Sequence, residues 1–291
     1  MSELRLPRHK VRFTAQAHVY SPTPVEEGEA RASLSRLLPG DIRPEDHPTL
    51  IFVVGNLAVF GLCNLNDDAV SIEDGLRIYR RFEWQQCNIE HSRGQIVGFI
   101  VKAGLSEFGT NRLITEEEAR AANKPFNLVT VAALWRVADP DLSQYILAAG
   151  LPGSPDRDKL SLSFEVGFDD YDVAVLPKGE TDVSFARLIT PEETTFARWD
   201  KMLRVNGGRG VTGDGERVAR VLVGDIVPLG QGIVTVPAAA VKGIEVVTTS
   251  PHVGVDETKA GYEYSSTQLT LSPEDAQPFL DYAATIPDED L

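Results

Sequence analysis

Gln85-Gln86-Cys87-Asn88-Ile89-Glu90-His91-Ser92-Arg93 runs straight into Gly94-Gln95-Ile96-Val97-Gly98-Phe99-Ile100. The second half alternates apolar with small or polar residues, the period of a half-buried strand, and His91 stands at its entry. Further along, Lys159-Leu160-Ser161-Leu162-Ser163-Phe164-Glu165-Val166-Gly167-Phe168 alternates in the same way. Leu160, Leu162, Phe164, Val166 and Phe168 then share one face, and Ser161, Ser163, Glu165 and Gly167 share the other.

Working outward, residues 11–20, 49–54, 127–137, 171–176, 218–223 and 232–236 also carry strand patterns. Ser71 caps a helix to about residue 82, with Glu73 and Asp74 in its first turn. Residues 104–124 form a loop-to-helix region, with Thr115-Glu116-Glu117-Glu118 as the helix start. Asp139-Pro140 opens a helix that stops at Gly150. Thr190-Pro191-Glu192-Glu193 is a capping box for a helix to residue 205. Helical spacing appears over 25–38, and Ser272 caps a last short helix. Residues 206–215 are a flexible glycine loop, and 153–158 are loop. Strands and helices mix without a βαβ rhythm, so the expected class is α+β, a curled sheet or β-barrel surrounded by helices. The expected organisation is an extension over 1–48, a domain over 49–247 with a helix and glycine-loop insertion at 178–216, and a polar acidic tail over 248–291.

The 291 residues carry 43 acidic and 28 basic side chains, a net charge of −15, which argues against a general nucleic-acid binder. With two cysteines, Cys63 and Cys87, a disulfide framework is not the organising principle, and a reducing compartment is expected. No apolar segment follows the charged first residues, and no window approaches a membrane span. A soluble cytosolic protein is the expectation.

A histidine and a serine on rigid strands form a nucleophile–base pair if the fold brings them together, which makes hydrolysis the first functional hypothesis. The bland alternative is a serine as filler on a solvated strand face and a histidine as a satisfied surface or core residue. Cys87 precedes His91 by a span of about 13 Å in extended chain, too far for a hydrogen bond. No Gly-Lys-Ser/Thr follows the glycine loop, and no Cys/His spacing suits zinc, so no cofactor and no metal is expected.

The Cys-Asn-Ile-Glu-His-Ser-Arg segment with Ile96-Val97-Gly98 behind it resembles the histidine motif of tailed-phage prohead (procapsid) maturation proteases. Asn64-Leu65-Asn66-Asp67-Asp68 precedes it, as an Asn-x-Asn turn does in many relatives. Leu162-Ser163-Phe164-Glu165-Val166 is similar to the family's nucleophile strand, and Val221 to Ala238, ending Gly232-Ile233-Val234-Thr235-Val236-Pro237-Ala238, to its closing strand. The resemblance spans about residues 50–245. It implies a herpesvirus-protease-like fold and a serine endopeptidase that cuts scaffold (core) protein and major capsid protein during phage head maturation. Self-processing and self-association are implied too, with the host cytoplasm, inside the immature head, as location. His91 would be the base and Ser163 the nucleophile. Some relatives carry an acid just before the closing Pro-Ala; here that stretch is Pro228-Leu229-Gly230-Gln231-Gly232, so the third member is open between nearby Asp225 and Glu165, which shares the Ser163 face. A non-enzymatic structural or assembly protein of a phage particle is the alternative, and an unrelated hydrolase using Cys87 a third.

Overall fold

The computed structural model describes residues 9–13, 35–92, 94–149, 161–234 and 245–246. The expected strand residues 14–20 and 235–236, helical residues 25–34, the 153–158 loop and the acidic tail with its Ser272 helix lie outside the described residues.

The strands are β1 (His9–Phe13), β2 (Leu50–Phe60), β3 (Asp68–Val70), β4 (Gln86–Ile89), β5 (Ile96–Glu107), β6 (Leu113–Ile114), β7 (Phe126–Trp135), β8 (Ser161–Phe168), β9 (Asp170–Leu176), β10 (Arg187–Ile189), β11 (Arg217–Val223), β12 (Val227–Val234) and β13 (Glu245–Val246). Nine of them form one sheet in the order β1-β8-β12-β4-β5-β7-β2-β13, with β6 on β5; β10-β9-β11-β3 form a second sheet. The larger sheet curls into a half-barrel, and with its helices the protein is a mixed α+β fold.

β2, β5 and β7 are long and antiparallel, and both their faces are covered. On one face Phe60 meets Phe126 and Phe164 edge-on, at 5.6 and 6.4 Å between centroids, and Phe82 meets Phe164 at 5.9 Å. This aromatic cluster fixes which face of β8 turns inward. On the other face Phe52, Val54, Val101, Val129 and Val131 pack under Leu37, Leu38 and Ile42. β2 outruns its expected end at residue 54: Gly55 pairs with Thr130 and Asn56 with Val129, so pairing with β7 overrides the turn preference of Gly-Asn. β5 likewise runs to Glu107, so residues 104–107 are strand rather than loop.

Helix α1 (Ile72–Ile78) begins where Ser71 Oγ accepts from Asp74 N–H at 3.0 Å. Helix α2 (Glu116–Ala122) has a complete capping box between Thr115 and Glu118, and Asp139 Oδ1 caps α3 (Pro140–Ala149) at 2.9 Å. The helix expected over 190–205 is corrected. Thr190 N–H does donate to Glu193, at 3.1 Å, but α4 covers only Phe196–Asp200. Leu203 is extended (ψ 139°) so that its side chain can bury among Val173, Val175, Ile189 and Val218, and tertiary packing wins over helix propensity. The glycine stretch that follows is tied down: Gly208 and Gly210 N–H donate to Leu203 and Met202 carbonyls at 2.8 and 2.9 Å. Among the described residues no helix is long and apolar enough to cross a membrane.

The Asn64–Asp68 turn anchors the second sheet. Asn64 Oδ1 accepts from the N–H of Asn66 and Asp68 at 2.8 and 2.9 Å. Asp67 meets Arg204 and Arg217, each at 2.7 Å, and buried Asp68 meets buried Arg220 at 2.7 Å. The Arg220 guanidinium also lies 5.2 Å from the Phe168 ring centroid and 5.5 Å from that of Tyr171. Burial raises the Asp68 pKa, and the Arg220 hydrogen bond and charge offset only part of that rise. Arg220→Met is expected to cost about 3–5 kcal/mol, because it strands a buried carboxylate. With its folded pKa above the unfolded one, Asp68 contributes stability at low pH that is lost as pH rises through the folded value. The variant should therefore recover stability relative to wild type on acidification; urea unfolding at pH 5 and pH 8 checks this.

Candidate active site

β12 lies between β8, with which it pairs antiparallel, and β4, with which it pairs parallel. In this register Asn88, Gly232 and Ser163 are neighbours in one row across three strands. The next row, Cys87, Gln231 and Phe164, turns to the opposite face, by the alternation of strand side chains. There Phe164 enters the aromatic core, and buried Thr130 Oγ1 donates to Gln231 Oε1 at 2.7 Å.

His91 does not stand at a strand entry, as its alternating neighbours predict, since β5 begins only at Ile96. It lies in the turn after β4, where Glu90 and His91 both adopt left-handed conformations, φ +48° and +59°. Two consecutive non-glycine residues there cost on the order of 1 kcal/mol or more each, so the surroundings must hold them. Glu90 N–H donates to Ile233 O at 3.1 Å, and Ser92 N–H to Ile89 O at 2.8 Å. The turn folds the imidazole back over Gly232, where a Cβ would stand 3.1 Å from both Cε1 and Nδ1 of His91. Its Nε2 lies 2.7 Å from Ser163 Oγ.

Glu165, two residues along β8, brings Oε2 to 3.9 Å from His91 Nδ1, beyond hydrogen-bond reach but within strong Coulombic range. Asp225 is outside this group. It sits on the β11–β12 turn against Arg81 at 3.1 Å, mostly exposed, and about 20 Å of strand separates it from Gly232. The structure thus brings together His91, Ser163 and Glu165, and leaves Asp225 on the surface. Ser163 is 0 % exposed and every residue of β8 is buried. The solvent-facing, filler-serine description therefore does not fit this strand.

With Nε2 unprotonated, the imidazole accepts from the Ser163 hydroxyl and is placed to take its proton, the geometry of an activated nucleophile. The thiols are placed differently. Burial raises the pKa of Cys87 steeply and that of Cys63 to about 12, so neither forms thiolate near neutral pH. Among the described residues no group of three or more His, Cys, Asp or Glu side chains is arranged to hold a metal ion.

Comparison of the chain with protein-family models, with curated proteins and with solved structures finds no match.

Two residues of this site escape a sequence reading. Gly232 is required because the His91 ring occupies the space its side chain would fill. Its signal is Gly230-Gln231-Gly232 inside a strand. Asn88, 1 % exposed, is a polar residue between buried Cys87 and the partly buried Ile89, an unusual occupant of a central strand.

Gly232→Ala is expected to keep the fold while forcing the imidazole aside by a few tenths of an ångström, at about 1–3 kcal/mol. Shifted His91 imidazole resonances together with a small fall in melting temperature would show it. Iodoacetamide at pH 8 should leave the native protein unmodified and add two groups after unfolding; rapid native uptake would restore Cys87 as a nucleophile candidate.

Proposed function

We propose that the protein is a serine endopeptidase of the prohead-maturation type, cutting scaffold and major capsid protein inside an immature phage head and processing itself. The 2.7 Å contact between His91 Nε2 and Ser163 Oγ carries this reading. The segments that resemble the prohead proteases supply it from three separate parts of the chain: the histidine turn, the serine strand β8 and the glycine of β12. On this reading the curled sheet is a herpesvirus-protease-like barrel, and the site of action is the host cytoplasm.

In the reaction, Ser163 Oγ attacks the scissile carbonyl carbon while its proton passes to His91 Nε2. The tetrahedral intermediate collapses as the carbon–nitrogen bond breaks, and Nε2 returns the proton to the leaving amine. Water then adds to the acyl-enzyme with Nε2 again as base, releasing the acid and restoring the serine. Each step alternates the imidazole with an imidazolium, whose charge faces Glu165. A charge pair at about 4 Å and an effective dielectric near 20 interacts by about 4 kcal/mol, of which relaxation removes part.

A second reading, a non-enzymatic assembly subunit, has the complete burial of Ser163 in its favour. Co-expression of wild type and Ser163→Ala with a candidate scaffold protein, read by intact mass, separates the two. Fragments from wild type alone support the peptidase and locate its cleavage sites. Intact masses from both, despite assembled particles, support the subunit. Ser163→Ala and His91→Ala are each expected to remove on the order of 10⁶-fold of the rate. Glu165→Gln should lower kcat by about 100-fold.

A further inference from the structure

Asn88 is the one member of the Asn88–Gly232–Ser163 row to which the mechanism above gives no work. The residue is 1 % exposed, and among the described residues neither Oδ1 nor Nδ2 meets a hydrogen-bond partner. Leaving a buried carboxamide unsatisfied costs about 1–3 kcal/mol, and such a group in a native structure calls for an explanation, a catalytic task among them. The position of the amide says which group. The point that a Gly232 Cβ would occupy lies 3.2 Å from Asn88 Oδ1 and 3.1 Å from His91 Nδ1. The imidazole therefore fills the middle of the row above the glycine. Ser163 stands on its Nε2 side, and Asn88 stands across Gly232 from Ser163.

We infer that Asn88 is a positioning residue for His91: once its carboxamide turns toward the ring, Oδ1 accepts from Nδ1–H and fixes the tautomer that leaves Nε2 open to the serine. The inference rests on the peptidase reading for its consequence in rate, not for its geometry. Placement opposite Ser163 removes Asn88 from the reacting carbonyl, so it acts through the histidine. Among the described residues the Asn88 carboxamide holds no hydrogen bond of its own that a turn toward Nδ1 would break. Glu165, at 3.9 Å, then acts on the same nitrogen by its charge alone. Division of the two tasks between a neutral acceptor and a more distant carboxylate accounts for both residues being buried on one face.

The test uses full-length protein with ¹⁵N-labelled histidine, whose five imidazoles are separable by single substitutions. In wild type above pH 8 the His91 ring is expected in the Nδ1–H form. Asn88→Leu, close in volume but without an acceptor, should shift it toward the Nε2–H form. Cleavage should slow by about 100-fold in kcat with KM unchanged. Asn88→Asp keeps Oδ1 and should retain the wild-type tautomer. Because Asn88→Leu removes an unpartnered buried amide, it should melt at or above the wild-type temperature. A variant that melts several degrees lower would assign the amide a structural task and overturn the inference. So would an unchanged tautomer in Asn88→Leu, or a tautomer that moves only in Glu165→Gln. If wild type cleaves nothing, the peptidase reading fails on its own, while the imidazole spectra still decide the part played by Asn88.

Discussion

Everything around the candidate site depends on the pairing of β12, which is antiparallel to β8 and parallel to β4. Without it the larger sheet would fall into two pieces, one holding the serine and the other the histidine turn. The parallel edge also offers Ile233 O to the Glu90 N–H, the bond that helps hold two left-handed residues in place. A sheet contact thus sets the backbone conformation of the turn, and the turn sets the distance from Nε2 to Oγ.

The strand faces divide the labour. On β8, Phe164 locks into the aromatic core while Ser163 and Glu165 project to the other side, so core packing positions the polar residues without touching them. On β12, Gln231 is held by Thr130 while its neighbour Gly232 is bare to receive the imidazole. On β4, Cys87 is sealed and Asn88 faces the site. Each strand turns one side to the core and the other to the candidate site, and period-two alternation is what makes that possible.

How far the sequence reaches follows from the range of each signal. Alternation is local, so β8 and the apolar part of β5 are legible, as are caps such as Ser71, Thr115 and Asp139, whose bonds span three residues. The helix expected over 190–205 fails because Leu203 answers to a core the local pattern does not contain. His91 is found by its motif but misplaced by it, since apolar alternation cannot show that the two residues after β4 turn left-handed. The roles of Gly232 and Asn88 are invisible locally because they arise from register: nothing in residues 85–100 says that Asn88 will face a glycine more than a hundred positions later. Asp225 and Glu165 are close choices in sequence and far apart in space, as strand length alone separates them.

The order of synthesis gives the row across β4, β12 and β8 one more meaning. The histidine turn leaves the ribosome first, the serine follows, and the glycine strand that joins them comes near the end of the described chain. A nascent chain that has already released His91 and Ser163 has no strand on which to align them. On that basis the contact between His91 and Ser163 cannot form until β12 has emerged, and the long-range topology of the sheet works as a clock that withholds it during translation.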